Sequence, residues 1–124
     1  MQKYTNFKME KMLKDLEPIL KYRGKVGYVA ARNTRVLRDT LIEYFRFRDD
    51  LVRKYGVVEL DGEGQETGRI SIVPTSPNFA DFTEELNKIG EIEHEIDLMM
   101  LKYNDVIDVL SGEEMLNLEW MLED

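Results

Sequence analysis

The clearest periodic signal in the chain lies between Lys25 and Tyr55. At 100° per residue, Val26, Ala30, Leu37, Leu41, Tyr44, Leu51, Val52 and Tyr55 fall on one helical face. Val29, Val36 and Phe47 widen that face on one side, and Phe45 on the other. The apolar arc spans about half the circumference, against roughly 100° for an ordinary surface helix. The pattern predicts one long helix that packs against more than one element and ends at Gly56. Upstream, Phe7, Met12, Leu13, Leu16, Ile19 and Leu20 predict a first helix capped at Asn6, interrupted at Pro18 and closed at Gly24. The two together read as a helical hairpin.

After Gly56 the period changes. Val57–Leu60 and Arg69–Val73 flank the run Asp61-Gly-Glu-Gly-Gln-Glu-Thr-Gly, which reads as two short strands around a tight turn. A third helix is expected from about Pro77 to Gly90, capped by Ser76 or Asn78, with Phe79, Phe82, Leu86 and Ile89 inward. Residues 91–103 fit two periods. Ile92, His94, Ile96, Leu98 and Met100 alternate as in a strand, while Ile89, Ile92, Ile96, Met99 and Tyr103 fit a helix. The strand is preferred, from His94 to Leu101 and added to the hairpin. Ser111-Gly-Glu-Glu114 is a capping box that opens a last helix carrying Met115, Leu118, Trp120, Met121 and Leu122. The expected class is α+β, with a helical hairpin built on one long central helix, a small antiparallel sheet and a C-terminal helix. An all-α fold is the alternative should 91–103 be helical. The length of 124 residues suits a single domain over 1–124.

Charge changes this picture more than composition does. The net charge is −8, unevenly spread. Residues 21–56 carry ten Lys or Arg against four acids, and residues 57–124 carry three against eighteen. Such asymmetry marks either an interaction surface or two halves that neutralise one another on folding. The absence of cysteine excludes disulfides, thiolate metal sites and cysteine nucleophiles. The N-terminus lacks the apolar run of a signal peptide, so a cytoplasmic protein is expected.

Several stretches read together carry a resemblance: "YVAARNTRVL", "LVRKYG", "DGEG" followed by "RISI", the "F..EL" helix, "EIEHEID" and "LSGEEMLNLEWML". From about Leu16 to Leu122 the chain resembles a family of small proteins of unknown function encoded by phages and prophages of Gram-positive bacteria. The resemblance implies action in the cytoplasm of an infected or lysogenic host and supplies no catalytic residues.

The candidate sites are surfaces. Lys25, Arg32, Arg35, Arg46, Arg53 and Lys54 share an arc opposite the apolar face, with Arg32, Arg35, Arg46 and Arg53 forming a basic ridge. Asp39, Glu43 and Asp50 lie in the same arc, where Arg35–Asp39, Arg46–Asp50 and Asp50–Lys54 are i,i+4 pairs and Glu43–Arg46 is i,i+3, and Tyr28 is the arc's one aromatic residue, so direct nucleic-acid binding is not favoured. Arg48 falls inside the apolar face and is expected in a buried ion pair with the acidic C-terminal half. Glu91, Glu93, Glu95 and Asp97 would line one outward strand face as a candidate interaction surface. With Glu84, Glu85 and His94 they are also the candidates for a divalent-metal site, which needs carboxylates converging from two elements. The Asp61 run lacks the spacing of a calcium loop. No catalytic, cofactor or metal residues are assigned.

The function expected is therefore that of a non-enzymatic module that binds a host or phage protein or a second copy of itself. An acidic inhibitor that mimics nucleic acid before a host DNA-binding or defence nuclease system is one alternative, and a small carboxylate–metal enzyme is another. No membrane partner and no cofactor are expected.

Overall fold

The long helix is present as α2 (Gly24–Tyr55) in the computed structural model, which describes all 124 residues. Glycines set both of its ends. Gly24 opens it with φ of +70°, a left-handed conformation that a side chain would strain. A Cβ on Gly27 would stand 1.8 Å from the Tyr22 carbonyl oxygen, so only glycine lets the incoming chain lie this close to the first turn. At the other end Gly56 is not left-handed. Its role is close approach, because a Cβ there would come within 2.7 Å of both the Ile70 side chain and the Ser71 carbonyl oxygen.

The fold is α+β. In chain order it comprises β1 (Gln2–Thr5), α1 (Asn6–Leu16), α2, β2 (Val57–Leu60), β3 (Glu66–Ser71), α3 (Phe79–Gly90), β4 (Glu93–Ile96), β5 (Leu101–Lys102), α4 (Tyr103–Val106), α5 (Gly112–Asn117) and β6 (Leu122–Glu123). The strands form three two-stranded ladders: β1–β4 and β2–β3 antiparallel, β5–β6 parallel. The chain divides into two compact units. The first is Met1–Leu41 with Glu93–Asp124, and the second is Ile42–Ile92. Helix α2 contributes its first half to one and its second half to the other.

The first unit holds most of the fully buried residues. Thr5 caps α1, its hydroxyl accepting from the Lys8 amide at 3.1 Å, one position before the expected cap. Asn6 is buried instead. Pro18 sits in the opening of a single 3-10 turn, Glu17–Ile19, where its missing N–H costs nothing. Met9, Met12 and Leu16 of α1 and Val29, Ala30, Leu37 and Leu41 of α2 are sealed from solvent.

Asn33 lies on the same apolar side of α2 and is fully buried. Its side-chain amide donates to the Met99 carbonyl at 3.0 Å, and its side-chain oxygen accepts from the Met99 amide at 2.8 Å. One side chain thus satisfies both backbone groups of a residue in the segment joining β4 to β5. The cost of burying a polar amide is offset because every strong donor and acceptor it brings finds a partner.

The strand expected at His94–Leu101 is shorter and paired elsewhere. β4 pairs with β1, not with the β2–β3 hairpin. The partner is the chain's first few residues, which a local reading leaves outside the sheet. The alternation itself holds, with Ile96 and Leu98 buried and Glu93, Glu95 and Asp97 exposed. The Ser111–Glu114 capping box forms as expected, with both reciprocal bonds. However, α5 stops at Asn117, and it is Leu118, Met121 and Leu122 beyond it that are buried, while Trp120 is half-buried.

The second unit is built from the rest of α2, the β2–β3 hairpin and α3. The Asp61 carboxylate accepts from the amides of Glu63 and Gln65 at 2.8 and 2.9 Å, and Gly64 takes φ of +79°. These bonds make the acidic run a tight hairpin turn. Few side chains here are sealed. Tyr44 and Phe82 are buried, Leu51, Val52, Tyr55, Leu86 and Ile89 are half-buried, and Phe47 is 55% exposed although its helical phase places it beside the apolar face.

Two stability measurements test this reading. Leu41→Ala is expected to cost about 2–5 kcal/mol in urea unfolding, and Leu51→Ala clearly less. Equal midpoints for the two would show that burial along α2 does not change between its halves. Asn33→Ala is expected to cost about 1–3 kcal/mol, since the Met99 peptide loses its partner. Thr34→Val should cost less, because the Thr34 hydroxyl donates only to the Ala30 carbonyl of its own helix, at 2.8 Å.

Candidate interaction surfaces

The basic ridge divides into halves with different electrostatics. In the second unit, Arg46 pairs with Glu43 at 3.3 Å, as the i,i+3 spacing predicts. Arg53 pairs with Asp50, in place of the expected Arg46–Asp50 and Asp50–Lys54 pairs. Lys54 turns instead to Glu85 of α3, 3.6 Å away. The neighbouring Tyr55 hydroxyl, and after it Lys54, hold the Glu85 carboxyl below the usual carboxylate range. In the first unit, Arg32 and Arg35 are exposed and have no carboxylate within ion-pair distance. The expected Arg35–Asp39 pair is not formed.

Arg48 is half-buried, with its side chain 35% exposed. Its guanidinium lies 4.7 Å from the centre of the Phe45 ring and 6.0 Å from that of Tyr44, and Asp49 is 4.0 Å away. The burial along α2 ends near Tyr44, so a position that falls on the apolar face by phase is partly open one turn later. Stacking on aromatic rings suits the flat, weakly hydrated guanidinium there.

The acidic strand face has the expected outward orientation. Glu93, Glu95 and Asp97 are exposed in the first unit, and Glu91 is exposed at the end of the second. Lys3 sits directly across the ladder from Glu95 with its ammonium 3.6 Å from the carboxylate, which neutralises part of that face. His94 is half-buried opposite Tyr4. No three His, Asp or Glu side chains come together in a group that could hold a metal ion, and Glu84 pairs with Lys88 at 3.8 Å.

Two further carboxylates have a tying role. The backbone N–H of Ser111 holds the Glu114 carboxyl below its usual range, and the Tyr22 hydroxyl, 2.9 Å from both oxygens, adds to this. The same contact raises the Tyr22 hydroxyl. Asp105 is likewise lowered, first by Lys25 at 3.0 Å and then by the Lys102 amide. These contacts join the start of α2 to the C-terminal segments.

Exposed apolar residues gather on the β2–β3 hairpin. Val57, Val58, Leu60 and Ile70 are exposed there, and Val73 just beyond β3. Val58 and Ile70 are cross-strand partners, and after a break in register Leu60 stands opposite Glu66. No helix is long and apolar enough to cross a membrane. Comparison with family models, with characterised proteins and with solved structures finds no match to the chain.

Sequence reading misses Asn33. The signal was present, since an asparagine interrupts the row Val26, Ala30, Leu37, Leu41 at helical spacing, and a polar residue there must find partners.

The carboxylate ties give the protein a defined acid sensitivity. Glu114 and Asp105 titrate lower in the folded than in the unfolded chain. Their stabilisation is therefore complete above the unfolded value of about 4 and is lost as pH falls through the lower folded value. The urea midpoint is expected to fall as pH drops below about 4. In Glu114→Gln it should start lower and fall less steeply. Parallel pH profiles for the two proteins would remove Glu114 from this role.

Proposed function

We propose that this chain is a non-enzymatic accessory protein that acts by binding another protein, in the cytoplasm of the infected or lysogenic bacterium that its resemblance to phage and prophage proteins implies. The observation that carries the reading is the β2–β3 hairpin. Val58 and its cross-strand partner Ile70, with Leu60 beyond a break in register, stand exposed on a two-stranded ribbon that has no third strand. Apolar side chains concentrated on one element in this way mark a contact surface more often than scattered ones do.

A photo-reactive residue at Leu60, introduced in host cells, tests it. The expected outcome is one discrete adduct, identified by mass, that disappears when Val58 and Ile70 are changed to Ser in a chain that still folds. An adduct of twice the chain mass identifies the partner as a second copy. Labelling indistinguishable from that at exposed Glu113 on α5 would defeat the reading.

A second reading rests on the outward row Glu93, Glu95 and Asp97, which could stand where nucleic-acid phosphates dock on a basic DNA-binding protein. It requires a complex that weakens steeply with salt and is lost when Glu91, Glu93 and Glu95 are changed to Lys. The Lys3–Glu95 pair weighs against it.

A further inference from the structure

The first half of α2 carries a second surface with a different chemistry from the hairpin's. Tyr28, Ala31, Arg32, Arg35, Val36 and Asp39 line a shallow groove of about 290 Å³. All six come from one helix. Their spacing of three and four residues makes a straight track of three turns, about 16 Å long at 1.5 Å per residue. Ala31 is small between larger neighbours, which leaves a notch. Tyr28 is 59% exposed, and Val36 is half-buried beneath the arginines.

The charges on this track are unspent. Arg32 and Arg35 are exposed and pair with no carboxylate, whereas Arg46 and Arg53 further along α2 are each held by an acid one turn away. An unpaired arginine keeps its full set of fork donors for an incoming carboxylate. Beside those arginines lie the Tyr28 ring, Ala31 and Val36, which offer apolar contact but no further positive charge.

We propose that this track receives an acidic amphipathic helix of a partner protein. Two ridged helices pack by setting the i, i+4 row of one into the groove of the other, and the notch at Ala31 admits such a row. The partner's apolar residues would cover Tyr28, Ala31 and Val36, while its Glu or Asp residues reach Arg32 and Arg35. Asp39 repels carboxylates at one end of the track, so it sets the direction in which the partner lies.

Nucleic acid fits the same track less well. Tyr28 is the track's single ring available for stacking, and two arginines offer a phosphate backbone few contacts. The apolar floor, which a protein helix would bury, gives a phosphate backbone nothing.

The test uses the full chain and three labelled probes in fluorescence anisotropy. The first is a peptide of about 18 residues, long enough to hold a helix, with Leu at three- and four-residue spacing and Glu flanking the Leu stripe. The second has the same composition with the Leu positions dispersed. The third is a single-stranded oligonucleotide of similar length. The striped peptide is expected to bind at least about tenfold more tightly than the dispersed one, a difference of about 1.4 kcal/mol. Arg32→Glu with Arg35→Glu should weaken it by about tenfold or more, and added salt should weaken it too. Tyr28→Ala should weaken it without changing the salt dependence. Arg46→Glu with Arg53→Glu should leave it unchanged. Circular dichroism of each variant separates loss of binding from loss of fold. No binding of the striped peptide, equal binding of both peptides, or equal loss in the two arginine pairs would overturn the proposal. Tighter binding of the oligonucleotide would assign the track to nucleic acid instead. The hairpin variants Val58→Ser and Ile70→Ser should not affect any of these measurements, so this proposal and the hairpin reading fail separately.

Discussion

The arrangement of the first unit depends on a single buried side chain. Asn33 holds the Met99 peptide by both its N–H and its C=O, as a neighbouring strand would. The segment from Asp97 to Met100 belongs to no ladder; the Leu98 amide donates to the Gln2 side chain, but without Asn33 the Met99 peptide would have to be hydrated or unpaired. Fixing Met99 against α2 fixes where β4 ends and where β5 begins. β4 is then free to pair with the N-terminal strand, and β5 with the last residues of the chain. A hydrophobic residue at position 33 would fill the volume but could not specify which peptide lies against the helix.

The ends of the charge asymmetry meet inside the units. Lys25 contacts Asp105 and Lys3 contacts Glu95 in the first, and Lys54 contacts Glu85 in the second. A few basic residues early in the chain are thus matched with acidic residues late in it. These pairs are largely exposed, and each adds little by itself. Their interest lies in what they leave over, which is Arg32, Arg35 and Arg38 on the first half of α2 and an acidic strand edge partly screened by Lys3.

The two units differ in how well they cover themselves. In the first, apolar side chains from α1, α2 and the C-terminal segments are sealed together. In the second, the hairpin keeps apolar residues in contact with water on a ribbon of only two strands, which is marginal by itself. Such a surface is costly for an isolated protein and useful for one that meets a partner.

Much of this was legible in the residues. The 3.6-residue period gave α2 nearly to its ends, the capping box placed Ser111 and Glu114, and the glycines around Asp61 marked the hairpin turn. These signals are local, because each depends on residues within a few positions of one another. The strand alternation of Glu93, Glu95 and Asp97 was legible for the same reason. The partner of that strand was not, since hydrogen bonding to Gln2–Thr5 joins residues some ninety positions apart and leaves no mark in either segment's period. Nor was the fate of Arg48 and Phe47. A helical wheel gives direction around the axis but not how far along it the neighbouring elements extend. Only the tertiary structure decides where cover stops, because burial requires another part of the chain to arrive.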